Sequence, residues 1–96
     1  MRYEIVLAPE AVQDLRRLRA NVPATVKDAI EKHLRYEPEK VSRSRIKRLR
    51  VLTQPQFRLR VKEVRVFYDV VEDRVEILAI VSKSDTADWL AKVGRS

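Results

Sequence analysis

Cysteine is absent from this 96-residue chain, which excludes a disulfide scaffold, a thiolate metal site and a cysteine nucleophile. That absence fits a reducing compartment, and a cytoplasmic location is the expectation. Glycine occurs once, at Gly94, so the Gly-rich loops that cradle nucleotide phosphates are missing. With a single histidine, His33, and no cysteine, a metal site is not expected, and neither is a cofactor. No apolar run approaches the ~20 residues of a membrane span. The start, MRYEIVLAPE, carries no apolar core of the kind a signal peptide needs. Repeats and low-complexity segments are also absent.

Basic charge is abundant and local. The chain has 21 Lys and Arg against 14 Asp and Glu, a formal charge of +7. Nine of the basic residues fall between Arg43 and Arg65, where Glu63 is the only acid. The segment therefore carries +8, and the remaining 12 basic and 13 acidic residues carry −1. Such a concentration is an electrostatic footprint for phosphates or an acidic partner.

The length suits one domain, 1–96, built as two layers around a small core. Tyr3, Ile5 and Leu7 alternate as one face of a first strand. Pro9 suits a first helical turn, and Glu10 suits the positive end of the helix dipole. Ala11, Val12, Leu15 and Leu18 keep helical spacing to about Ala20. Pro23 opens a second helix, with Val26, Ala29, Ile30, His33 and Leu34 on its inner stripe, ending near Tyr36. His33 is read as half-buried and structural. The short link predicts an antiparallel helical hairpin. Glu37-Pro38-Glu39 breaks the second helix.

Strands are then expected over Lys47 to Leu52, Phe57 to Val61, Val64 to Val71 and Arg74 to Val81. A short helix follows over Asp85 to Val93, capped by Ser82 or Ser84. The predicted fold class is α+β in two layers, β-α-α-β-β-β-β-α. An antiparallel meander is covered on one face by the helical hairpin. Strand parity puts Phe57, Leu59, Val64, Val66 and Tyr68 on the packed face. Arg58, Arg60 and Arg65 fall on the face left partly open.

The residues PEAVQDLRRL, followed by RLR and FRLRVKEVRVFYDVVEDRVEILAIV, resemble the RelE/ParE superfamily of toxins from type II toxin–antitoxin pairs. The likeness covers nearly the whole chain, is most specific over Phe57 to Val81, and lies closer to the RelE branch. It implies an mRNA endoribonuclease (mRNA interferase) that acts with the ribosome, inhibits translation and works by attack of the 2′-hydroxyl on the scissile phosphate. It also implies a cognate antitoxin, with the toxin monomeric inside that complex. The ParE branch implies instead a DNA gyrase poison. A third reading is a non-catalytic module whose basic face binds antitoxin or RNA.

Carried over residue by residue, Arg65 matches the arginine that contacts the scissile phosphate. Arg58 and Arg60 match basic positions on the preceding strand. Arginine suits a phosphoryl transition state because its fork holds two oxygens and stays charged. Arg48, Arg50 and Lys62 read as an RNA-binding rim, or as a solvated strand face. Lys83 falls where the family's first basic residue after the last strand would stand, as an acid or phosphate ligand. Ser84 stands where arginine is expected, and no tyrosine follows. Trp89 is either a base-stacking platform or a core anchor for the last helix.

Overall fold

The computed structural model describes residues 1–95. Its elements run β1 (Glu4–Leu7), α1 (Pro9–Arg17), α2 (Val22–Leu34), β2 (Ile46–Arg48), β3 (Phe57–Val61), β4 (Val64–Val71) and β5 (Arg74–Ser82). A 3-10 turn (Lys83–Asp85) then leads into α3 (Thr86–Val93). The five strands form one sheet in the order β1-β5-β4-β3-β2. As expected, β2 to β5 make an antiparallel meander. β1, however, pairs parallel with β5, so the sheet is mixed. The helical hairpin carries the chain across one face to the far edge, and the meander steps back until β5 lies beside β1.

The packed face follows from alternation. Phe57, Leu59 and Val61 of β3 and Val64, Val66 and Tyr68 of β4 are buried against Ala11, Leu15, Val26, Ile30 and Leu34 of the hairpin. Phe57 and Tyr68 are cross-strand partners whose rings stack at 5.4 Å, worth ~0.5–1.5 kcal/mol beyond their buried area. β5 is apolar at both parities because its register shifts. Phe67 pairs with Ala79 and Tyr68 with Ile77, which leaves Leu78 as an extra, bulged residue. Val75, Ile77 and Ile80 thereby all reach the hairpin face.

The hairpin is tied down by polar contacts at each end. On α1, Asp14 Oδ2 accepts the Ile80 backbone N–H at 2.9 Å, beyond the last residue of β5 that β1 covers. After α2, the Tyr68 hydroxyl donates to the Pro38 carbonyl at 2.6 Å. Burial and the nearby Glu39 carboxylate push the Tyr68 phenol well above its usual range. Arg35 bridges to the Tyr3 carbonyl at 3.0 Å and pairs with Glu31.

Two boundaries differ from expectation. α1 ends at Arg17, and Ala20 takes a φ of 51° in the link. β2 is Ile46–Arg48 rather than Lys47 to Leu52, because after Leu49 donates to the Gln56 carbonyl at 2.8 Å the chain leaves the sheet. Neither Ser82 nor Ser84 caps α3 through its side chain; the Ser82 carbonyl instead accepts the Thr86 hydroxyl at 3.1 Å. Among the described residues no helix is long and apolar enough to cross a membrane.

Candidate functional site: a block of unpaired cations on the sheet

The face opposite the hairpin collects the basic residues because β2 and β3 alternate strictly. Lys47 lies opposite Arg58, and Arg60 lies opposite Arg65. Arg45, just before β2, accepts the Arg60 N–H on its carbonyl at 2.8 Å, while its side chain lies near His33 of α2. Like charges directly opposite one another across strands are destabilising. Two such pairs stand side by side here. Among the described residues, none of Lys47, Arg58, Arg60 and Arg65 has a carboxylate within 4.0 Å; the ion pairs are Arg17–Asp14, Arg35–Glu31, Lys40–Glu37 and Arg74–Glu76.

Depth in the sheet distinguishes the arginines. Arg65, on the central strand, is 6% exposed. Its Nη1 donates to the Lys62 carbonyl at 2.7 Å and the Val64 carbonyl at 3.0 Å. It lies on the face that parity predicts, but it is buried there rather than open, and part of its fork holds the β3–β4 turn. Lys62 in that turn has a φ of 54° and is exposed. Arg58 is half-buried, and its Nε is buried without a hydrogen-bond partner. Desolvation first, then the charges of Arg65 and Arg60, push its guanidinium below the usual arginine value. Arginine remains charged at neutral pH through such a shift, so the strain of the unpaired charge is retained. Arg60 is exposed.

The other sequence-predicted residues divide. Arg48 pairs in register with Phe57, so it sits on the hairpin side of the β2 edge, its guanidinium carbon 4.9 Å from the Phe57 ring centre. Arg50 is exposed in the segment after β2. Neither joins the Arg58 block. Trp89 of α3 does lie on that face, but it is engaged: its indole stacks on Phe67 at 4.8 Å, and Phe67 is the cross-strand partner of Arg58. Lys83 is exposed where β5 ends, its backbone N–H donating to the Glu63 carbonyl at 2.7 Å. That position is two residues past Val81, the partner of Arg65.

Sequence reasoning missed Lys47, which counted only as charge; the register that sets it beside Arg58 comes from strand pairing across the 49–56 connection. Among the described residues, the one buried acid of the face is Asp69, 5% exposed. Its Oδ1 accepts the Gln56 N–H and its Oδ2 the Gln54 amide, each at 2.8 Å. Both oxygens are therefore committed to pinning the 54–56 segment. The arrangement can bind a polyanion and stabilise negative charge building on a phosphoryl group. Among the described residues, no cluster of three or more His, Cys, Asp or Glu could hold a metal ion.

Comparisons with known proteins give the family and the fold. The model of the ParE toxin family, the toxin of the parDE type II toxin–antitoxin system, matches residues 5–87. Nothing among curated protein sequences matches. Among solved structures, the fold is similar to a chain of the RelBE2 toxin–antitoxin complex of Mycobacterium tuberculosis, with a TM-score of 0.71 and 25% identity over 85% of this chain and 99% of that one. It is also similar to a chain of the RelB–RelE antitoxin–toxin complex of Methanococcus jannaschii, with a TM-score of 0.66, 19% identity and coverage of 88% and 96%. For the intact Escherichia coli RelBE complex the TM-score is 0.51, with 17% identity and coverage of 83% and 95%. With the family model spanning most of its length and a RelE-like arrangement of its strands and helices, the chain belongs to the ParE toxin family of type II toxin–antitoxin systems.

Proposed function

We propose that this toxin is an RNA endonuclease that grips a scissile phosphate on its basic sheet face and is neutralised by a cognate antitoxin. The observation that carries the reading is the block of Lys47, Arg58, Arg60 and Arg65, two like-charged cross-strand pairs without a carboxylate in reach among the described residues. An anion bound on this face would offset the repulsion. In the reaction the ribose 2′-oxygen bonds to phosphorus as the P–O5′ bond breaks. The products are a cyclic phosphate and a 5′-hydroxyl. The 2′-hydroxyl proton leaves to a base, and the departing O5′ takes one up. Arg58 and Arg60 face the phosphoryl oxygens, Arg65 completes the positive floor, and Lys83 stands at the strand end as proton donor or second phosphate ligand. The ribosome supplies the remaining acid–base groups, with mRNA as substrate in the cytoplasm.

A second reading is favoured by two specific observations: the family model is that of ParE toxins, and Ser84, in the turn just after β5, replaces the expected arginine. In it the same face serves antitoxin binding, and toxicity comes from gyrase. Expression of the toxin without its partner separates the two. Mapped mRNA 5′ ends phased to codons are the expected result, and they should disappear in Arg58→Ala and Arg60→Ala. Arg65→Lys should cut slowly while folding normally; because Arg65 holds the turn, its alanine variant alone is not decisive. DNA breaks with an SOS response and intact mRNA would overturn the nuclease reading.

A further inference from the structure

A second basic site lies outside the sheet face. The last turn of α2, the segment after it and the start of β2 enclose a cavity of about 390 Å³, within the range of small-ligand sites. Lys32 and His33 project from α2, Tyr36, Lys40 and Ser42 from the connecting segment, and Arg45 from the edge of the sheet. Lys40 is matched by Glu37 at 3.7 Å, whereas Lys32 and Arg45 have no carboxylate within 4.0 Å among the described residues. The carbonyl end of α2 opposes an anion by about half a charge, and the cations outweigh it.

The walls are held in place. Pro38 is buried and receives the Tyr68 hydroxyl. Ser42 Oγ accepts the backbone N–H groups of Arg45 at 3.1 Å and Ile46 at 3.2 Å. Its own hydroxyl proton is then free to be donated into the cavity. Tyr36, at the rim, is 60% exposed and presents a ring on which a base can stack.

We propose that this cavity seats a flanking phosphate of a single-stranded RNA, continuing the path of the strand held on the basic sheet face. Continuity argues for RNA as the occupant. Arg45 lines the cavity, and its carbonyl accepts the Arg60 N–H, so the cavity and the basic row of β3 meet at the β2 edge. An aromatic ring beside cations is the pairing that single-stranded nucleic acid uses. The proposal rests on the RNA reading above and adds to it a binding register: the toxin holds nucleotides beyond the cut.

His33 is the chain's only histidine and therefore an unambiguous reporter. Its imidazole is held below the usual value by burial, then by Arg45 and Lys32. Glu37 and Lys40 face the same space from the connecting segment. A bound phosphate reverses the repulsion and raises the His33 pKa. The experiment titrates the His33 ring proton by NMR in the intact toxin, free and saturated with uncleavable 2′-O-methyl oligonucleotides of two and eight residues. The octamer should raise the His33 pKa, while the dinucleotide, confined to the sheet face, should not. Lys32→Ala should lower the salt slope of octamer binding by about 0.7, one phosphate contact on a single strand, and Tyr36→Ala should weaken the octamer only. Salt-dependent octamer binding with an unmoved His33 and an unchanged Lys32→Ala slope would overturn the cavity site and leave the RNA reading standing. No oligonucleotide binding at all would overturn both. A His33 response to a polyglutamate peptide but not to RNA would assign the cavity to an acidic polypeptide and overturn the proposal.

Discussion

Removing one arginine from the basic block should make the fold more stable while making the toxin worse at binding RNA. The perturbation is Arg60→Gln, which keeps a polar stem on an exposed position of β3. Arg60 faces Arg65 across the strands, on the same strand and face as Arg58. A like-charge pair directly opposite costs on the order of 0.2–1 kcal/mol. Relief of one such pair should therefore stabilise by about 0.5 kcal/mol, a rise of roughly 2–4 °C in Tm for a domain of this size. The effect is electrostatic, so it must depend on screening. At about 0.01 M salt the Debye length is ~30 Å and at 1 M it is ~3 Å, so the advantage of the variant should shrink toward zero at high salt. Thermal melts of both proteins at the two ionic strengths read this directly. Oligonucleotide binding by the variant should lose about 0.7 from its salt slope. A variant that melts below the parent at low salt, or a stability difference indifferent to salt, would refute the claim that the block is uncompensated.

Three further outcomes follow from the packing. Asp69→Ala strips acceptors from the Gln56 N–H and the Gln54 amide; hydrogen bonds to a charged group contribute ~1.5–3 kcal/mol each, so urea unfolding should show a loss of at least about 2 kcal/mol, and hydrogen exchange should accelerate around residues 54–56. Ala20→Gly relieves the left-handed φ of 51° and should stabilise by about 0.5–1 kcal/mol, seen as a raised urea midpoint. His33 has a folded pKa below its unfolded value, so the unfolded chain binds the extra proton, and stability is lost as pH falls below about 6.5. Tm measured from pH 8 to pH 5 should fall more for the parent than for His33→Gln.

The local features of the fold were legible in the sequence, and the depth of the site was not. The helices and strands of the hairpin and meander follow from periodicity, which neighbouring residues encode. The face borne by Arg58, Arg60 and Arg65 follows from the two-residue repeat of β3 and β4, and the two-residue turn between them preserves it. The Leu78 bulge is different: it lets β5 be apolar at both parities, and only its pairing with β4 reveals it. The fixed hand of strand alternation likewise could not place Lys47 opposite Arg58, because the 49–56 connection sets that register.

What the sequence by itself determined is the class of the fold, the packed face and the gathering of positive charge between Arg43 and Arg65, all properties of adjacent residues. Tertiary structure alone decided that β1 lies parallel to β5, that Arg65 is buried at the centre of the sheet, and that Arg48 turns to the Phe57 ring while Lys47 joins Arg58. The physical reason is common to these cases. Burial, register and charge proximity depend on which strands pair and in what register, and local pattern does not encode that pairing, whether across the short 49–56 connection or between β1 and β5.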